Sequence, residues 1–503
     1  MISLKKIESN KKPSSKQAVA KIDQELPYFI ALVTLMAASG ISPFMSLKKL
    51  VHFDLLPNMS KEAKSMIKQV EILGVDPLTV MNKKAEEASS KLYQDFLAGY
   101  VSTVQTGGSV VHFLKSKMHT IFDLQGTIAK QLVTKLAALV DAYMIIQVVV
   151  LTMYIIFVAL SSTPALALSI MPDPSSMARF AYMFLIIPPL MSGILMFISQ
   201  KMTSSTYIGT EKIVKKGVLL AAVAVPPMTI IPSVLPVDLG FFGLPYLMGL
   251  AILAASIIPF LEYQKVEKIN SSAERATPSI LRDIAEARKT GLSPERCIVH
   301  AFKRKGYDVF SSVLDRTVNQ LGWGVPLRNI VSNIRKEVSS WFVLINFRTL
   351  IEVIDSGGGY AEALDTLAES SEKMYNVEKE KREMLKPYVM IAFIIMGITG
   401  FTTLMVIDSF GGMAENVNLT EERQFGAGSA IKEKGMRDLF AASTVFQAYL
   451  VGLFIGKITS GTFAAGFKYS VLLTITVLVA IIAVEFSPID LNTIFTPSSR
   501  QST

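Results

Sequence analysis

The chain has 503 residues, 50% of them hydrophobic and 18% charged, with a mean hydropathy of +0.42. That balance marks a membrane protein with sizeable soluble parts. The formal charge of +9 is accounted for first by basic loops beside a membrane, so no nucleic-acid partner is expected, and the single cysteine, Cys297, excludes an internal disulfide and a cysteine-rich zinc site.

Residues 1–25, with Lys5, Lys6, Lys11, Lys12, Lys16 and Lys21, read as a basic flexible tail. No apolar core ending in a cleavage site adjoins these lysines, so no signal peptide is expected. Leu26-Pro27 opens a helix that ends at Gly40, and Ser42-Pro43 caps the next. The apolar run from Tyr28 to Ser39 is too short to span a bilayer and reads as a buried soluble helix. Asp76-Pro77-Leu78 starts a helix whose stripe includes Val80, Ala85, Ala88, Leu92, Phe96 and Val101, ended by Thr106-Gly107-Gly108. A further helix from Ser109 continues through Ile121, Leu124, Ile128, Leu132 and Leu136 towards the membrane. Residues 26–141 thus form a first soluble helical domain.

Residues 142–262 hold four apolar stretches, Ala142–Leu160, Ala178–Ser199, Gly217–Pro236 and Phe241–Leu261, where Pro226-Pro227 kinks the third. Residues 263–387 form a second soluble domain. In it the turn Gly322-Trp323-Gly324-Val325-Pro326 leads into a helix with Leu327, Ile330, Val331, Ile334, Val338, Trp341, Phe342 and Ile345 on one face. That helix stops at Ser356-Gly357-Gly358-Gly359. A second helix from near Tyr360, with Glu369/Lys373 and Glu378/Arg382 at i, i+4, runs to Lys386-Pro387. Residues 388–486 then supply three more spans, Tyr388–Ile407, Leu439–Gly456 and Tyr469–Ala483, before a tail at 487–503. The fold class expected is an all-α polytopic membrane protein with about seven transmembrane helices and two repeated cytoplasmic helical-bundle domains.

Orientation follows from Lys and Arg in short loops. Lys201, Lys212, Lys215 and Lys216 lie between the second and third spans, and Lys457 and Lys468 between the sixth and seventh, whereas 161–177 and 237–240 carry no Lys or Arg. The N-terminus and both soluble domains are then cytoplasmic and the C-terminus external. The loop 408–438 disagrees in part, holding Arg423, Lys432, Lys434 and Arg437 on the external side.

The soluble domains match each other at an offset of about 250 residues. Pro27…Gly40-Ile41-Ser42-Pro43 corresponds to Pro278…Gly291-Leu292-Ser293-Pro294, Gly74-Val75-Asp76-Pro77-Leu78 to Gly324-Val325-Pro326-Leu327, Ser89-Ser90 to Ser339-Ser340, and Thr106-Gly107-Gly108 to Gly357-Gly358-Gly359. The copies differ in charge. Tyr28-Phe29-Ile30-Ala31-Leu32-Val33 is nearly all apolar, but its counterpart carries Arg282, Asp283, Glu286, Arg288 and Lys289. The second copy therefore suits a polar partner, unless the first merely buries this helix in its own bundle or a dimer.

Catalytic chemistry is missing. There is no G-x-x-x-x-G-K-[ST], no H-E-x-x-H, no G-x-S-x-G and no Cys/His arrangement, and His52, His112, His119 and His300 are scattered. No catalytic residue, metal or cofactor is expected. The spans hold almost no ionisable residue; Asp141, Glu262 and Glu485 lie at their ends, which argues against a proton- or ion-coupled carrier. Gly452 and Gly456 make a G-x-x-x-G that reads as a small-residue face within the bundle.

Paired helical blocks, each with a G-[IL]-S-P turn and a long helix broken at a [TS]-G-G turn before a span, resemble the type II secretion system F-domain family. The resemblance covers residues 26–160 and 277–407, and Gly291-Leu292-Ser293-Pro294 and Ser356-Gly357-Gly358 are its most specific parts. Two extra pairs of apolar helices make the layout similar to the archaeal branch, which serves the archaellum and adhesion pili. The family implies a non-enzymatic platform, a homodimer in the cell membrane, with a hexameric secretion ATPase on its cytoplasmic side and pilin or archaellin subunits drawn from the membrane lipid. Candidate ATPase-facing residues are Arg282, Asp283, Glu286, Arg288, Arg328, Arg335, Lys336 and Glu352, and Gly40, Pro43, Gly107, Gly108, Gly291, Pro294, Gly357 and Gly358 are expected to be structural turns. A carrier or channel with cytoplasmic regulatory domains is the alternative.

Overall fold

A computed structural model describes residues 15–161, 174–202, 207–234, 243–357, 359–417 and 426–486. The tails, the loop at 162–173, residues 203–206, 235–242 and 418–425, and Gly358 lie outside the described residues. The described chain is helical, with no β-strand among the described residues, and it divides into two units. Unit 1 comprises residues 1–130 and 266–380; unit 2 comprises 131–265 and 381–503.

The helices in chain order are α1 (Ser15–Ala38), α2 (Pro43–Leu50), α3 (Pro57–Leu73), α4 (Pro77–Glu87), α5 (Lys91–Gln105) and α6 (Val110–Ser161). Next come α7 (Pro174–Met202), α8 (Glu211–Val234), α9 (Leu244–Lys289), α10 (Pro294–Phe302) and α11 (Ser311–Gly322). The last are α12 (Leu327–Glu337), α13 (Trp341–Asp355), α14 (Ala361–Val417), α15 (Gly426–Ser460) and α16 (Phe463–Phe486).

In unit 1 the duplicated turns take the same backbone form. Gly40 and Gly291 have φ of +79° and +88°, a region that strains any residue with a Cβ, and Pro43 and Pro294 open α2 and α10 just beyond them. Gly107 and Gly357 turn the chain before α6 and α14, and Gly108 lies so close to Thr103 that an added Cβ would sit 3.1 Å from its methyl.

Three expectations change. The first helix starts at Ser15, inside the segment expected to be a tail, and Pro27 lies within it. A proline removes the bond to the carbonyl four residues back; here the Gln125 side-chain amide donates to that Asp23 carbonyl at 3.4 Å. The single helices expected over 76–105 and 326–355 are each broken, at Ala88–Ser90 and Val338–Ser340, where the backbone is extended. Carboxylates on the first helix of each copy hold these breaks. Asp23 accepts from Ser90 Oγ, and Glu274 accepts from Ser340 Oγ at 2.6 Å. Asn270 Oδ1 also accepts the Ser339 and Ser340 amides, both at 2.8 Å. The fourth and fifth helices of each copy are therefore separate rods around a serine corner.

One apolar core runs through both copies of unit 1, with Phe29, Ile30, Leu35, Phe53, Phe96, Phe310, Phe347 and Leu350 among its buried members. Tyr28 packs edge-on against Trp341 at 4.3 Å, and the Trp341 indole donates to the Leu55 carbonyl at 3.2 Å. The starts of α6 and α14 run alongside each other, joined by Lys115 and Glu362 at 2.5 Å, His119 and Lys373 at 2.9 Å, and Lys130 and Glu380 at 3.0 Å.

Unit 2 has its own apolar core, including Tyr143, Val445, Phe454, Phe467 and Val477. Its α15 and α16 pack backbone to backbone: a Cβ on Gly456 would lie 2.2 Å from Gly466 Cα, and one on Gly452 2.3 Å from Ser470 Cα. The G-x-x-x-G serves contact inside the bundle. Tyr143 OH accepts from Gln147 at 2.8 Å and Gln447 at 3.2 Å, tying α6 to α15. The Lys457 amine donates to the Gly461 carbonyl at 2.7 Å and closes the turn between α15 and α16.

Five helices are long and apolar enough to cross a membrane among the described residues: Val110–Met153, Leu244–Lys289, Ala361–Phe401, Asp438–Ser460 and Phe463–Ala483. Of the seven expected spans, those at 178–199 and 217–236 fall on side chains described only in part. Ile145, Val148, Leu190, Phe197, Leu250, Met390 and Ile394 are exposed, as residues facing lipid tails would be. The whole is a multi-pass membrane protein.

Candidate partner-docking surface

The eight charged residues singled out in the sequence take different roles in unit 1. Arg282, on the exposed side of α9, pairs with Glu372 of α14. Asp283 accepts from Arg304 Nη1 at 2.5 Å and from Tyr307 OH at 3.0 Å. Burial, and then that bond to a carboxylate, push the Tyr307 phenol above its usual range. Glu286 is exposed one turn further along α9.

Arg288 is turned inward. Its Nε donates to the Gly359 carbonyl at 2.6 Å and its Nη1 to the Leu292 carbonyl at 2.7 Å, which pins the Gly291 turn to the start of α14. Arg335 pairs with Asp54 of the first copy, and the Lys336 amine donates to Asn333 Oδ1 at 3.0 Å.

Glu352 is only 3% exposed. Lys49 at 3.7 Å, Arg328 at 3.4 Å and Arg348 at 3.5 Å surround its carboxylate. Arg328 also reaches Asp355 at 2.6 Å, and Arg348 lies over the Phe53 ring at 5.5 Å. Lys49 and Phe53 belong to the first copy, so this buried carboxylate joins the two copies and is withdrawn from the surface. A signal for this was present: α13 is mostly apolar, and Glu352 stands between Ile351 and Val353 in its apolar run.

Spacing did not single out a further concavity in unit 1. A cleft of about 1070 Å³ opens between α10 and α11, lined by Leu292, Arg296, Val299, Lys303, Leu321 and Trp323 among others. Trp323, on the turn between α11 and α12, is 81% exposed. The Gly-Trp-Gly-Val-Pro stretch reads as a turn, and an indole left in such a turn was the available hint.

The model of type II secretion system protein F matches this chain twice, at residues 29–158 and 280–407. This chain belongs to the protein F family of type II secretion systems. The family matches begin on α1 and α9 and end within α6 and α14, so each takes in one set of the shorter helices of unit 1 and the long apolar helix that follows. The chain is also similar to an uncharacterized protein of Methanocaldococcus jannaschii, 20% identical over 492 residues, covering 92% of this chain and 79% of that protein. No solved structure matches.

Proposed function

We propose that this protein F homologue is the non-enzymatic membrane platform of an archaeal type IV filament, archaellum or adhesion pilus, or of a secretion machine built alike. In this reading it couples a cytoplasmic hexameric ATPase to the assembly of pilin or archaellin subunits, as a homodimer in the cell membrane. The observation that carries the reading is continuity. Each copy of the family domain ends in a helix, α6 or α14, that runs unbroken into a candidate span. At 57 residues, α14 extends about 85 Å. The paired starts of α6 and α14 make a double rod on which a motor acts, and displacement passes along it to the bilayer. The archaeal relative supports the branch, and the basic residues Lys201, Lys212, Lys215 and Lys216 support seven spans with both family domains cytoplasmic.

The test uses the full chain in nanodiscs with the hexameric secretion ATPase of the same cell. Association and a change in ATP turnover are expected. Arg282→Glu with Lys336→Glu, both on exposed faces, is expected to weaken association at least several-fold. A full chain that neither binds the ATPase nor alters its turnover would overturn the coupling. Orientation is read by labelling single cysteines placed at 165 and 204 in a Cys297→Ser background; 204 is expected to label from the cytoplasmic side and 165 from outside.

A further inference from the structure

The two copies also differ between their second and third helices. In the first copy, Lys48 of α2 and Glu71 of α3 form an ion pair at 2.7 Å across the space between those helices. About 250 residues later the corresponding positions are Val299 and Leu321, which line the cleft instead of bridging it. Leu292, Val318, Val325 and Leu327 complete an apolar lining that packs back against the core. Arg296, His300 and Lys303 of α10 stand along the cleft, and among the described residues neither Arg296 nor Lys303 has a carboxylate within ion-pairing distance. Of the two acids there, Asp355 is already held by Arg328, which leaves Glu295 against two free cations. The matching turn of the first copy exposes Ile72 and Leu73 where the second exposes Trp323.

An apolar-lined cleft, a rim with excess positive charge and an exposed indole call for a ligand with carboxylates around an apolar side chain. A flat bilayer surface fits less well, because the aliphatic side chains are recessed behind the charged ones and Trp323 alone stands out. We propose that the α10–α11 cleft is the docking site for an acidic segment of a partner protein, with its apolar side chain against Val299, Leu321 and Trp323 and its carboxylates on Arg296 and Lys303. The inference rests on the platform reading for the machine the partner belongs to, but not for the affinity of the cleft.

The chain has two tryptophans, and the other, Trp341, is half-buried and hydrogen-bonded, so Trp323 reports directly on the cleft. The probe is a synthetic peptide of glutamates flanking two leucines, added to the full chain in phosphatidylcholine nanodiscs; its lysine counterpart is the control. Before addition, iodide is expected to quench Trp323 more strongly than caesium does. The acidic peptide is expected to shift the emission to the blue saturably and to protect it from iodide, while the lysine peptide does neither. The change should vanish in Trp323→Phe and weaken at least tenfold in Arg296→Glu/Lys303→Glu, whose exposed positions leave helical circular dichroism unchanged. No saturable change, an equal response to the lysine peptide, or a response that survives the charge reversal would overturn the proposal. Protection of Trp323 by phosphatidylglycerol nanodiscs without peptide would assign the cleft to lipid and overturn it too. Loss of ATPase association with the peptide response intact would strike the platform reading alone.

Discussion

Glu352 separates a joint from a docking residue, and Glu352→Gln tests which it is. The substitution keeps the volume and removes the charge from a carboxylate 3% exposed, beside Lys49, Arg328 and Arg348. Arg328 is half-exposed and retains Asp355, and Lys49 is one-third exposed, so each of those losses is worth about 0–1 kcal/mol. Arg348 is different: its side chain is 18% exposed and its Nε has no hydrogen-bond partner among the described residues, so losing Glu352 strands a mostly buried cation. Breaking a fully buried pair costs about 3–5 kcal/mol, and the stacking on Phe53 and partial solvation here reduce the expected total to about 2–3 kcal/mol. For a body of this size that lowers the midpoint by about 4–12 °C. The assay is thermal unfolding of the full chain in nanodiscs in a Trp323→Phe background, where Trp341 at the junction of the copies supplies the emission. Adding Arg348→Met should recover part of the loss, because no unpaired cation remains. A midpoint unchanged by Glu352→Gln, together with weakened ATPase binding, would refute the joint and return Glu352 to the surface role.

Gly456→Leu drives a side chain into Gly466 of the neighbouring helix and should cost at least about 1–3 kcal/mol in resistance of the full chain to denaturation, while Gly397→Ala, with nothing within 4 Å, should be neutral. Tyr143→Phe leaves the Gln147 and Gln447 amides without their shared acceptor and should destabilise unit 2 by about 0.6–1.7 kcal/mol in an unfolding titration. The raised Tyr307 phenol contributes stability that is fully present below the ordinary tyrosine value near 10 and is lost as pH rises through its higher folded value. Unfolding midpoints should therefore fall above about pH 10, and Tyr307→Phe should make that fall shallower; an identical slope would refute the assignment.

What was legible in the sequence divides by whether backbone or tertiary context dictates the residue. Gly40 and Gly291 sit at positive φ and the prolines three residues on open helices, so the backbone alone demands those residues and their spacing exposes the duplication. Periodicity was a poorer guide where a corner preserves the stripe. Val338 is buried at the break between α12 and α13 as it would be in a continuous helix, and only the paired serines with carboxylates some 66 residues away distinguish the two. Charge was the poorest guide, because a charged residue off the apolar stripe is equally consistent with solvent, a partner or a buried joint. Arg282 and Arg328 look alike in sequence, yet one faces out beside Glu372 and the other closes on a carboxylate shared between two copies. Duplication supplies the missing context, because one copy serves as the reference for the other. Contacts present in both, such as Asp23 with Ser90 and Glu274 with Ser340, belong to the shared scaffold. Where Lys48 and Glu71 give way to Val299 and Leu321 the scaffold has lost an ion pair and gained an opening, and a function specific to the second copy is to be sought there.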